Sequence, residues 1–129
     1  MVAFNFKGRF ADDVAALRKR STIRRSDRAK AGDRLQLYTG QRTPECRKLV
    51  EPDPICTVST YCALRRSGIT LGNVDLLPSE LRDQDAFARS DGFRDYADML
   101  DWFEGQYGPG EFVGRYIAWE PSPALSGEE

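Results

Sequence analysis

The hydrophobic period changes along this chain, and the change limits the folds open to it. Residues 2–6 alternate apolar and polar side chains, as do residues 34–38, where Leu35 and Leu37 fall on one face and Gln36 and Tyr38 on the other. Residues 55–64 form the longest β candidate. Its alternate positions Cys56, Val58, Thr60, Cys62 and Leu64 can face one way, with Thr57 and Tyr61 on the other. From Pro78 onward the period lengthens to that of a helix. Pro78, Ser79, Glu80 and Leu81 read as a helix start, Leu81, Asp85 and Ala88 are spaced for successive turns, and Ser90-Asp91-Gly92 interrupts. A second helix is expected over residues 93–107. There Phe93, Tyr96, Leu100, Phe103 and Tyr107 keep helical spacing, and Asp95, Asp98 and Asp101 line the other side.

Shorter signals fill the intervals. A turn at Lys7-Gly8-Arg9 leads into a short helix with Val14 and Leu17 on one side. Asp12 and Asp13 fall in its first turn, where carboxylates suit the positive end of the helix dipole. Residues 21–24 read as a brief strand, 26–30 as a polar loop and 39–44 as another loop. Residues 46–50 are a further strand, 51–54 a turn rich in breakers and 112–119 a last alternating strand. Short strands with helices inserted at a few places predict an α+β domain over residues 1–120, most simply a small closed or half-open barrel. Residues 121–129 read as a frayed tail.

At 129 residues, 40% of them hydrophobic, the chain has the length of one domain and enough apolar surface for a core. No apolar run approaches the roughly 18–20 residues of a membrane span. The first residues lack the layout of a secretion signal, so the expected compartment is the cytoplasm. The net charge of −1 hides a split. Residues 1–74 hold 15 Lys and Arg against 7 Asp and Glu, and residues 75–129 hold 4 against 13. Between residues 7 and 34 alone there are ten cations and four Asp, a density that attracts polyanions unless the acidic half balances it.

There is no histidine, which excludes Ser-His-Asp and Cys-His catalysis and every metal site that needs imidazole. Acid–base chemistry falls to carboxylates, Lys, Tyr or Cys. Cys46, Cys56 and Cys62 are odd in number and form no CxxC pair, so they read as buried reduced thiols. On one extended strand Cys56 and Cys62 would stand ~20 Å apart, beyond any disulfide. No cofactor or metal is called for, and a monomer is the default. Among 15 Arg and only four Lys, Lys19 stands between Arg18 and Arg20. A partly buried lysine can act as base or nucleophile, which arginine cannot. Asp91 precedes the most amphipathic helix, where it would serve as an N-cap. Tyr38, Tyr61, Trp102 and Trp119 are either core residues or platforms for nucleobases.

These residues together resemble a known family. Phe6 and Phe10, then Lys19-Arg20-Ser21-Thr22-Ile23-Arg24, then Gly32-Asp33-Arg34-Leu35-Gln36-Leu37, then Asp91-Gly92-Phe93 before an aromatic helix resemble the ASCH domain of the PUA-like superfamily. The resemblance covers roughly residues 2–119. The stretch from Leu37 to Leu49 looks like ASCH proteins of phages and prophages, which would place the protein in a host cytoplasm. The family implies a small PUA-like β-barrel of about five to six strands with flanking helices, and a cleft that handles RNA or nucleobases.

Two functions follow from the resemblance. In the first, the chain is a binding module for RNA or a nucleotide. Arg18, Arg20, Arg24, Arg25 and Arg42 then hold phosphates and Tyr38 stacks on the base. In the second it is a small hydrolase. One bacterial branch is N4-acetylcytidine amidohydrolase, whose Lys and Thr fall on Lys19 and Thr22 here and whose Glu falls on Asp91. Another branch has been described as ribonucleases. In the amidohydrolase reading Thr22 attacks the amide carbonyl, Lys19 takes its proton, and Asp91 orients the lysine or the attacking water. Asp for Glu shortens the reach by about 1.5 Å, which bears on catalysis more than on binding.

Overall fold

Two short stretches of alternation, at each end of the chain, become strands at the residues expected of them. The computed structural model describes residues 2–25, 29–72, 74–76 and 81–122, with the backbone alone described at 74–76 and 81–83. Its elements run β1 (Val2–Phe6), α1 (Gly8–Ala15), β2 (Ser21–Arg24), β3 (Leu35–Thr39), β4 (Arg47–Lys48), β5 (Ile55–Arg65), β6 (Gly68–Leu71), β7 (Val74–Leu76), α2 (Leu81–Ser90), α3 (Tyr96–Tyr107) and β8 (Phe112–Glu120). The architecture is mixed α+β, with one sheet in the order β1-β3-β4 and another in the order β2-β8-β5-β6-β7. The chain gathers into two compact units. One holds Met1–Arg20, Arg28–Ser59 and Ile117–Glu129, the other Ser21–Asp27 and Thr60–Tyr116. The polar loop at 26–28, the helix start at 78–80 and the tail at 123–129 lie outside the described residues.

In the first unit β1 and β3 run parallel, Val2 facing Leu35 and Phe6 facing Thr39. A parallel pair needs a crossover between its strands, and α1 lies on that crossover. The helix begins at Gly8, four residues before Asp12, so Asp12 and Asp13 stand in its second half and not in its first turn. Phe10, Ala11 and Val14 are its buried residues, and closing Phe10 over the core draws the start back. Leu17 ends the helical path in a left-handed conformation, φ +63°. The Asp13 carbonyl then accepts the N–H groups of both Arg18 and Lys19, at 2.9 and 3.0 Å. Leu35 and Leu37 are fully buried, as their alternation predicts. The strand expected at 46–50 shrinks to Arg47–Lys48, paired antiparallel with Tyr38 and Thr39. Cys46 just before it is exposed rather than buried, whereas Cys56 is buried and free.

In the second unit β5 and β6 form a tight hairpin, Arg65 facing Gly68, and β6 turns back again into β7. Neither β6 nor β7 was legible in advance, although Gly68 and Gly72 at positive φ mark their turns. Helix α3 starts at Tyr96 rather than near Phe93. Asp95 is extended and its side chain accepts the Asp98 N–H at 2.8 Å, an N-cap. The Tyr96 N–H is held by Asp85 of α2 at 2.9 Å, and the Tyr96 hydroxyl donates to the carbonyl of Arg65. Phe93, Tyr96, Leu100 and Phe103 are buried, and Tyr107 at the end of the stripe is 42% exposed. The alternation of β5 breaks in its middle, where Val58 is 40% exposed although Cys56, Cys62 and Leu64 are buried. Among the described residues no helix is long and apolar enough to cross a membrane.

Candidate functional site

The four residues of β2 carry the polar part of the second unit. Ser21, Thr22 and Ile23 are all buried and Arg24 is half-buried, so both faces of this short strand are covered. The Ser21 hydroxyl donates to Oδ1 of Asp91 at 2.6 Å. Thr22 Oγ1 accepts from Nε of Arg24 at 3.0 Å, which leaves the threonine proton directed elsewhere. A hydroxyl facing a carboxylate is a charge-assisted bond worth about 1.5–3 kcal/mol.

Asp91 comes from the link between α2 and α3. Its N–H continues the path of α2, with the Phe87 and Ala88 carbonyls at 3.2 and 3.1 Å, and Gly92 at φ +97° then turns the chain. Asp91 therefore closes the preceding helix and does not cap the following one. That role belongs to Asp95, four residues on, because the turn at Gly92 separates Asp91 from the first free N–H groups of α3. The Asp91 side chain is 2% exposed, and burying a carboxylate costs several kcal/mol before its partners are counted.

Two further side chains complete this cluster. Tyr116 on β8 is hydrogen-bonded to Ser21, and Cys62 on β5 lies close enough to Asp91 to feel its charge. Strands β2, β8 and β5 are neighbours in the sheet, so Ser21, Tyr116 and Cys62 arrive from adjacent strands. Burial pushes the Cys62 thiol up to about 12, and the Asp91 carboxylate adds to the rise. Burial also raises the Tyr116 phenol; its bond with Ser21 opposes the rise and Asp91 adds to it. Both groups keep their protons at neutral pH, and Cys62 is no nucleophile. Arg25, expected on phosphate, is exposed with its guanidinium 4.8 Å from the ring centre of Tyr107 and 5.7 Å from that of Phe112.

The first unit holds the other expected residues. Lys19 is 2% exposed, its Nζ lying 5.0 Å from the ring centre of Phe10 and 5.9 Å from that of Phe6. Aromatic faces attract a desolvated ammonium, each by about 1–2 kcal/mol. Arg18 pairs with Asp13 at 2.8 Å, and Arg20 with Glu120 at 2.9 Å, both in exposed positions. Tyr38 is half-buried on β3. Arg42 is exposed at φ +67° in a loop braced by the Thr43 hydroxyl on the Gly40 carbonyl and by Asn5 on the Gln41 N–H. Trp119 is fully buried, with its ring centre 6.0 Å from that of Phe6. It is a core residue, not a stacking platform, because its strand carries it inward. Among the described residues no group of three or more Cys, Asp or Glu side chains is placed to hold a metal.

Within the second unit the structure joins Thr22 to Arg24 and Asp91 to Ser21. Ser21 and Tyr116 were not singled out from the sequence. Ser21 stands inside the Lys19 to Arg24 motif, yet nothing local ties residue 21 to residue 91 or 116. Fold and site thus define a small mixed α+β protein with a buried polar cluster built around one carboxylate. No protein-family model, no curated protein and no solved structure matches the chain.

Proposed function

We propose that the chain is a PUA-like module of the ASCH type that binds a base-bearing ligand, a nucleotide or a segment of single-stranded RNA. One observation carries this reading. Lys19, Thr22 and Asp91, the residues on which the family resemblance rests, are respectively 2, 5 and 2% exposed. Lys and Asp are among the residue types least often buried. Among the described residues they are also the only charged side chains that are buried. A fold that needed only a core would place apolar residues there. In this reading the strands belong to a small barrel, the setting is cytoplasmic, and the exposed Arg42 and Arg25 hold phosphates. The test is calorimetric titration with the four ribonucleoside monophosphates and a short single-stranded RNA. Binding is expected, weakened at least tenfold by Lys19→Met, which keeps the apolar stem and removes the charge. Absence of binding to every probe would overturn the reading.

A second reading is favoured by the anchoring of Asp91 on Ser21 rather than at a helix end. A carboxylate held away from the capping role is available for chemistry. Here the Lys19, Thr22 and Asp91 set implied by the resemblance hydrolyses an acylated nucleoside: Thr22 attacks the amide carbonyl, Lys19 takes its proton and passes it to the amine as the C–N bond breaks, and water then cleaves the Thr22 ester to release acetate. Release of acetate from N4-acetylcytidine is then expected from the native protein and abolished by Lys19→Ala. Turnover that survives this substitution would sink it.

A further inference from the structure

Helix α3 ends in a row of aromatic rings that stands partly in solvent. Phe103 and Phe112 are buried, whereas Tyr107 is 42% exposed. The Tyr107 ring lies nearly parallel to that of Phe103, at 20° with centres 5.9 Å apart, and its centre is 4.9 Å from that of Phe112 on β8. Two buried neighbours thus set the plane of an accessible ring. Arg25, the exposed residue directly after β2, brings its guanidinium over the same rings, 4.8 Å from the centre of Tyr107 and 5.7 Å from that of Phe112. The carboxylates that flank these rings in sequence are engaged elsewhere, Glu104 with Arg66 at 3.1 Å and Glu111 with Arg65 at 3.0 Å. Among the described residues Arg25 has no carboxylate partner, so its charge is left uncompensated beside an exposed ring. That pairing matches the two parts of a nucleotide, a base that stacks and a phosphate that takes the N–H fork of a guanidinium.

We infer that Arg25 and Tyr107 form a stacking subsite for a second nucleotide of a single-stranded RNA, an inference that rests on the base-binding reading above. Both residues belong to the same compact unit as Thr22 and Asp91. Arg25 stands three positions beyond Thr22, roughly 10 Å along an extended backbone at about 3.3 Å per residue. One nucleotide of a strand at Thr22 and Asp91 therefore leaves its neighbour within reach of the rings. The base of that neighbour stacks at Tyr107, and its phosphodiester accepts from the N–H groups of Arg25. Every base has a π-face, so the subsite rewards chain length without choosing a base. A free mononucleotide fills one subsite only, whereas in a strand the second contact follows the first as an intramolecular step.

Isothermal titration of the whole protein with uridine monophosphate and UpUpU, and with adenosine monophosphate and ApApA, tests the assignment. A monophosphate carries about −1.5 to −2 charge at pH 7, close to the two phosphodiesters of either trinucleotide, so charge alone gives no preference. Each trinucleotide is expected to bind roughly tenfold or more tightly than its monophosphate. Tyr107→Leu removes the ring and keeps an apolar side chain at the helix end, and Arg25→Gln removes the charge. Each should lower that ratio by about threefold or more, whereas Tyr107→Phe, which keeps the ring, should preserve it. Loss of structure would weaken both members of a pair alike and leave their ratio unchanged. A native ratio below about tenfold, a ratio that withstands either Tyr107→Leu or Arg25→Gln, or one that Tyr107→Phe lowers as far as Tyr107→Leu does would refute the subsite and leave base binding standing. Failure of all four probes to bind would overturn the base-binding reading, and the subsite with it.

Discussion

Cys62 and Cys46 show how surroundings separate two chemically identical side chains. The Cys62 thiol lies within the sheet near the Asp91 carboxylate, and both burial and that charge oppose the thiolate. Cys46 is exposed and Cys56 is buried. Iodoacetamide applied to the native protein at pH 8 should therefore label Cys46 and spare the other two, as peptide mass spectrometry would show. At pH 10 an ordinary thiol is largely ionised, and Cys62, pushed up to about 12, should still be spared. The folded-state value lies above the ordinary thiol value of 9.0. The neutral thiol thus favours the folded state fully below about pH 9, and that contribution is lost as pH rises through about 12. Labelling of Cys62 at the rate of Cys46 in folded protein would contradict its placement.

At the scale of elements, two glycines make opposite predictions. Gly114 lies on β8 where a Cβ would stand 2.2 Å from the carbonyl oxygen of Arg24 and 3.0 Å from its carbon. Backbone cannot swing aside as a side chain can, so Gly114→Ala must force β8 away from β2. A loss of about 1–3 kcal/mol is expected from urea denaturation. Because β2 carries Ser21 and Thr22, ligand binding should weaken with it. Gly105 sits inside α3 with nothing within 4 Å of the same added atom. Gly105→Ala should stabilise the protein by about 0.5–1 kcal/mol, through helix propensity alone. A Gly114→Ala variant as stable as the native protein would show that the strands have room to spare.

Over the whole molecule, the distribution of charge decides what kind of polyanion binding is available. The basic surplus of the first 74 residues is partly spent, since Arg18 and Arg20 pair with Asp13 and Glu120. Arg65 pairs with Glu111, and Arg66 with Asp101 and Glu104. With a net charge of −1 and part of the basic surplus paired with carboxylates, RNA affinity should fall only gently with salt. A slope of about −1.4 to −2.1 in log affinity against log salt is expected for single strands, the neutralisation of two or three phosphates. A slope steeper than about −4 would instead reveal a continuous basic track.

What the order of residues determined by itself was local: period, β-branching and breakers located several of the elements. Leu35 and Leu37 did so for β3, Ser21 to Arg24 for β2, and the glycines after Tyr107 for the end of α3. Tertiary structure decided the rest, because the deciding neighbours are remote in the chain. Val58 obeys the alternation of β5 and is nonetheless exposed, since a strand's period says which residues share a face but not whether anything covers it. Asp91 read as a helix cap from its neighbours in sequence. It became a buried anchor because Ser21, 70 residues away, stands opposite it. Burial of a polar group is set by the partners that offset its desolvation, and those partners are assembled only when distant strands meet.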